Sequence, residues 1–284
     1  MSERKKISLV GYGYVGKAMA EMLKEGADIV VYDPAYGQNG SSEGVQFVDS
    51  MAELGKVDLG IICAPTPQAK DGSCDVSLVE DAVREVDAKV ILIKSTISPG
   101  TTDRLIKETG KHIVFSPEYV GESKYYNPYF PDDMKAVPFL ILGGRDEDCN
   151  EVLRFMVPVL GPTKRYFKTK AINAEITKYM ENTFFATKVT FVNEMYEICQ
   201  AFGADWYDVR EGWLLDPRIN PMHTAVFPDN RGFGGKCYPK DTSALVYASK
   251  KAGYEPKFLE EMIRTNKRFR GGSKNEGMKG GRKY

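Results

Sequence analysis

The sequence predicts an α/β protein in which a doubly wound parallel sheet is followed by a smaller all-helical domain built on one long helix. Three observations predict it. From Lys5 to about Leu142, short β-branched runs alternate with stretches of helical spacing. After roughly Lys168 the strand pattern stops. Ala171 to Phe202 then runs without a Gly or Pro. The 284 residues leave room for two ordinary domains.

The strand-like runs are Ile7 to Val10, Ile29 to Tyr32, Val57 to Ile62, Val90 to Ile93, Ile113 to Phe115 and Phe139 to Leu142, all read as parallel. Between them lie helical stretches such as Val76, Val79, Val83 and Val86, with Asp75 as N-cap. The run from Ala171 to Phe202 is predicted as one helix of about 48 Å with Gly203 as C-cap, long enough to connect domains or subunits. Asp205, with Asp208 three residues on, caps a following helix, and two more helices are expected over about Asp241 to Lys251 and Pro256 to Phe269. The expected division is 1–168 for the α/β domain and 169–270 for a helical central or dimerisation domain. Residues 271–284 form a disordered basic tail, with five glycines and four basic residues against one acid.

Lys plus Arg and Asp plus Glu each number 39, so no global field attracts nucleic acid or an anionic membrane. No apolar run approaches the ~18 residues of a membrane span, and the basic start lacks a signal-peptide core. Five cysteines without C-x-x-C spacing point away from a disulfide framework or zinc site, and reduced thiols in a cytoplasm fit. With His112 and His223 the only histidines, chemistry is expected to rest on Lys, Glu, Asp or Cys.

Gly11-Tyr12-Gly13-Tyr14-Val15-Gly16 follows the first strand and opens a helix, the context in which G-x-G-x-x-G cradles a dinucleotide pyrophosphate. This makes the sheet Rossmann-type. Asp33, seventeen residues after Gly16, ends the second strand where an acid accepts hydrogen bonds from ribose hydroxyls, which favours NAD over NADP. Pro65-Thr66-Pro67 and Ser95-Thr96 fall at carboxyl ends of strands, the ligand-binding edge, and can line the nicotinamide side or serve as ordinary turns. Glu118 and Glu122, in Ser116-Pro117-Glu118-Tyr119-Val120-Gly121-Glu122, offer a general base or water holder; a solvated acidic loop has the same composition. Lys178 and Asn182 share a face of the long helix near Glu175, where an ammonium and a carboxamide can stabilise an oxyanion. In Phe233-Gly234-Gly235-Lys236-Cys237-Tyr238-Pro239-Lys240-Asp241, paired glycines bring backbone against a ligand. There Cys237 lies near two lysines and a helix start, which favour a nucleophilic thiolate.

These strings, with Lys94-Ser95-Thr96 and Pro99-Gly100-Thr101-Thr102, occur in one order that resembles the UDP-glucose/GDP-mannose dehydrogenase family from about Lys5 to Phe269. The resemblance implies oxidation of a nucleotide-sugar primary alcohol to a carboxylate with two NAD, UDP-glucose to UDP-glucuronate being the foremost case. Cys237 would carry a thiohemiacetal and then a thioester. It further implies that Lys178 and Asn182 stabilise the oxygens, Asp241 assists proton transfer, and Glu118 and Thr96 hold a water. Glu122 and Lys240 would lie near the nicotinamide and its ribose, and Tyr119, Arg218, Phe233 and Gly234 near the substrate. A cytoplasmic homodimer through residues 170–202, with no metal, is expected. Family members ordinarily continue into a UDP-binding domain that is expected to be lacking here. Pro228-Asp229-Asn230-Arg231 is an unusual lead into the glycines. Two other readings remain: a single-step 3-hydroxyacid-type dehydrogenase needing no cysteine, and a non-catalytic dinucleotide-binding partner subunit.

Overall fold

The structure is a computed structural model that describes residues 4–36, 40, 42–119 and 134–272. It divides into two compact units, Met1–Ala69 with Cys74–Lys178, and Lys70–Ser73 with Tyr179–Tyr284. In the first unit β1 (Lys5–Val10), α1 (Tyr14–Leu23), β2 (Ala27–Tyr32), β3 (Val45–Val48) and β4 (Val57–Ile62) are followed by α2 (Ser77–Glu85), β5 (Ala88–Ile93), α3 (Thr101–Thr109) and β6 (Ile113–Phe115). Then come β7 (Phe139–Gly143), α4 (Asp146–Leu160) and β8 (Arg165–Thr169). The sheet order is β3-β2-β1-β4-β5-β6-β7-β8.

Alternation along buried strands supplies both faces of this sheet. Ile7, Leu9, Leu59, Ile61, Val90 and Leu92 pack with α1 and α4 residues, while Val10, Ile62, Ile91 and Ile93 pack with α2 and α3 residues. Each such side chain contributes about 1.5–3 kcal/mol on burial, enough to set register and leave the strand ends for chemistry. The reversal of strand order at β1, flanked by β2 and β4, makes the carboxyl ends of β1 and β4 the crevice edge.

Three details differ from expectation. All pairs are parallel except β6 with β7, which is antiparallel and registers through Phe115 and Gly143; apolar alternation does not encode strand direction. β3 and β8 were not anticipated. Both are edge strands, one four residues long and the other half-exposed Arg-Tyr-Phe-Lys-Thr, so neither carries an apolar run, and β8 continues the strand pattern past Lys168. The N-cap position of α2 is Val76, although Asp75 Oδ1 does accept the Ser77 N–H at 3.0 Å.

The second unit is helical: most of α5 (Ala171–Phe202), then α6 (Trp206–Leu214), α7 (Cys237–Lys251) and α8 (Lys257–Gly272). α5 has the predicted bounds and ends at Gly203 with φ +68, and Asp205 caps α6 by accepting the Tyr207 and Asp208 N–H groups. α7 starts at Cys237, four residues before the expected Asp241. Pro239 is tolerated because first-turn N–H groups have no intrahelical partner. The tail expected from Gly271 lies outside the described residues apart from Gly271 and Gly272, which close α8. No helix among the described residues is long and apolar enough to cross a membrane.

Candidate active site in two units

In the first unit the glycine loop is shaped by backbone crowding. Gly11 has φ +93, and a Cβ there would lie 2.6 Å from Cys63 O; a Cβ on Gly16 would run into Gly11 O. Gly13 is the opposite case, with open space where its Cβ would be, and it heads α1 without any side-chain cap. The first-turn N–H groups of α1 therefore meet an uncrowded face suited to a phosphate. Asp33 ties this loop to β2: its Oδ2 accepts the Tyr12 N–H at 2.6 Å and its Oδ1 the Ala35 N–H at 2.8 Å. Sequence reasoning did not count Lys17, whose ammonium lies 5.2 Å from the Tyr36 ring and 5.8 Å from the Tyr12 ring. Tyr36 chiefly, and then Tyr12 and Asp33, raise its pKa.

Beyond β5 and β6 the first unit brings Glu118 and Lys178 together through the Glu118 carbonyl, which accepts from Lys178 Nζ at 2.5 Å. Lys178 also lies 5.4 Å from the Tyr119 ring. The Glu118 carboxylate accepts the Tyr119 N–H at 2.8 Å and forms a buried ion pair with Lys94 at 3.0 Å. Lys94 donates further to Ser116 Oγ at 3.3 Å and Pro117 O at 3.2 Å. Sequence marks Lys94 only as part of the Lys94-Ser95-Thr96 string, because nothing in it reveals that this lysine is buried beside an acid. Thr66 Oγ donates to Thr96 O at 2.8 Å, joining the two loops that follow β4 and β5. Glu175, fully buried on α5, accepts the Gly100 and Thr102 N–H groups at 2.5 and 2.9 Å and so caps α3; burial raises its pKa. Glu122 lies outside the described residues.

In the second unit Cys237 is the exposed first residue of α7. The other cysteines are partly or fully buried, and burial pushes the Cys63 thiol to about 12 and Cys149 to about 11, so neither supplies a thiolate. One turn after Cys237, Asp241 is buried, accepts from Asn182 Nδ2 at 2.5 Å and pairs with Lys240 Nζ at 2.6 Å. Lys178 and Asn182, predicted to act as a pair, thus have different partners. Phe233 is held by Asn266, which accepts its N–H at 2.7 Å and donates to its carbonyl at 3.0 Å; the Arg270 guanidinium lies against Gly234. Arg218 is exposed and forks onto Asp216. His223 stacks on Phe185 at 4.4 Å, with its Nε2 2.7 Å from the Tyr238 hydroxyl. Burial lowers its pKa to about 4 and keeps it neutral.

Comparison with known proteins matches residues 34–157 to the NAD binding domain of the UDP-glucose/GDP-mannose dehydrogenase family, and residues 172–268 to its central domain. A UDP-glucose 6-dehydrogenase of Rhizobium meliloti is 30% identical over 302 residues, covering 92% of this chain and 67% of the relative. The chain belongs to the UDP-glucose/GDP-mannose dehydrogenase family. A Haloferax volcanii relative, UDP-glucose 6-dehydrogenase AglM, is 28% identical over 92% of the chain and 69% of its own length. A solved UDP-glucose dehydrogenase from Pyrobaculum islandicum superposes with a TM-score of 0.79 at 28% identity, over 94% of this chain and 69% of that one. The chain spans about half to two-thirds of the length of the curated relatives it matches. NAD is the cofactor of this family's first domain, and the open Gly13 face, the uncapped α1 and Asp33 at the end of β2 fit it.

Proposed function

We propose that the chain is an NAD-dependent nucleotide-sugar 6-dehydrogenase taking a 6-hydroxymethyl group to a carboxylate, with UDP-glucose to UDP-glucuronate as the reaction. Residues 1–168 hold the cofactor and 169–270 carry the nucleophile. The observation that carries this reading is Cys237: an exposed cysteine at the head of α7, where the aligned peptide dipoles favour a thiolate, one turn from the Asp241–Asn182 tie. The family membership and the names of the relatives support it.

NAD, when bound, supplies the acceptor for each hydride. Lys178 and Asn182 balance the charge on the substrate oxygen as the alcohol loses its proton and hydride. Cys237 Sγ then adds to the aldehyde carbon, with Asp241 assisting transfer of the proton, and forms a thiohemiacetal. Loss of the second hydride leaves a thioester on Cys237. A water held by Glu118 and Thr96 attacks its carbonyl, the acyl C–S bond breaks, and the sugar acid leaves while the sulfur stays on Cys237 and takes up a proton from that water. Four electrons leave per sugar, so two NADH must form per acid. By the family resemblance Glu122 and Lys240 are assigned to the nicotinamide and its ribose, and Tyr119, Arg218, Phe233 and Gly234 to the sugar nucleotide. A panel of sugar nucleotides assayed for NADH and acid together tests the reading; one NADH per turnover surviving Cys237→Ser would replace it with a single-step alcohol dehydrogenation.

Self-association through α5 belongs to the same proposal. Met180, Phe184, Phe191, Ile198 and Phe202 are exposed along it, a spacing that keeps them on neighbouring faces of the helix. Phe184→Lys combined with Phe202→Lys should convert a dimer to a monomer in sedimentation.

A further inference from the structure

An exposed nucleophile is not fixed by core packing, so its position depends on how the backbone is anchored on either side. Downstream of Cys237 the anchor is Asp241 on Asn182. Upstream, the chain from Asn230 to Lys236 has no regular structure, yet it is heavily tied. Arg231 is buried, with its guanidinium 4.5 Å from the Tyr196 ring and 5.2 Å from the Phe269 ring. Its Nε donates to Asn193 Oδ1 at 2.6 Å, one Nη to Asn193 O at 2.8 Å and the other to Glu197 Oε1 at 2.7 Å. The same Asn193 Oδ1 accepts the Gly232 N–H at 3.1 Å. Gly232 sits at φ +71, and a Cβ there would run into Asn266 Oδ1, which already holds Phe233.

A buried guanidinium is costly to desolvate, and an apolar residue between two rings would often be as stable. What the planar fork adds is direction, because it fixes three acceptors of one helix relative to its own backbone. We propose that Arg231 is a positioning residue for Cys237, clamping the lead into the glycine segment onto α5 so that the head of α7 has a single placement. This rests on the reading of Cys237 as the nucleophile.

The test is amide hydrogen exchange and turnover of the whole chain with Arg231→Lys, which keeps the charge but loses the fork, and Arg231→Met, which keeps the bulk. Exchange over residues 232–238 should accelerate by about tenfold or more, as expected for lost charged hydrogen bonds, while the sheet of the first unit is unaffected. The kcat for acid should fall about 100-fold, the effect of a small misplacement, with NADH affinity unchanged. Unchanged exchange at 232–238, exchange accelerated evenly through the helical unit, or unchanged acid formation despite local loosening would each overturn the proposal. If neither variant folds, Glu197→Ala removes the half-exposed partner alone. It should loosen the same residues by about threefold, and no local change there would also overturn it. Acid formation retained by Cys237→Ala would instead refute the nucleophile reading while leaving the exchange result intact.

Discussion

Two glycine-rich segments each lead into a helix, and they are built differently. Gly11 to Gly16 is shaped by its own backbone and by the neighbouring strand end: Gly16 crowds Gly11, and Gly11 crowds Cys63. Gly232 to Gly235 is shaped by side chains reaching from distant parts of the chain, Asn193 on α5 and Asn266 and Arg270 on α8. The first segment is a local solution, in which Gly11 and Gly16 let backbone pass close to backbone and Gly13 leaves an open face. The second is a tertiary solution, in which the glycines make room for asparagine and arginine side chains that hold the loop before Cys237.

The largest effect should come at the end of the second segment. Cys237→Ala is expected to lower acid formation at least about 1,000-fold, and intact mass spectrometry should show a sugar adduct on the wild-type protein that the variant lacks. Gly16→Ala tests the first segment: its Cβ has no room beside backbone, so thermal or denaturant unfolding should show a loss of about 3 kcal/mol, with NADH binding abolished. Asn182→Ala removes one partner of the buried Asp241 and should cost about 2 kcal/mol in denaturant unfolding, leaving NADH affinity of the first unit in place. The most gradual effect is a pH slope. His223 titrates at about 4 in the folded protein against an ordinary 6.5, so the unfolded chain binds the proton more readily. Stability should therefore rise with pH across that window and be lost as pH falls through it. Thermal melts between those values should show a shallower slope for His223→Gln; an equal slope would place the titration elsewhere.

The local segment was legible in the sequence. Glycine spacing, the preceding β-branched run and an acid after the next strand are all short-range features, and Gly11, Gly13, Gly16 and Asp33 lie where they were expected. The bounds of α5 were legible for the same reason, since an uninterrupted run ending in Gly203 states its own length. Lys94 and Arg231 were not. Each is a charged residue that sequence statistics assign to the surface, and each is buried because a partner 24 residues on (Glu118) or 38 residues back (Asn193) supplies its hydrogen bonds. The early start of α7 was missed because Pro239 reads as a break, and the edge strands because half-exposed pairing leaves no apolar run.

By itself, the sequence determined the doubly wound architecture, the dinucleotide loop and the long helix, because periodicity and glycine geometry act over a few residues. Only the tertiary structure decided that Asn182 engages Asp241 while Lys178 engages the Glu118 carbonyl, that Glu175 caps α3, and that Arg231 fastens the second glycine segment. The physical reason is that a hydrogen-bonding side chain does not declare its partner in one dimension; burial and direction select it once the chain has folded.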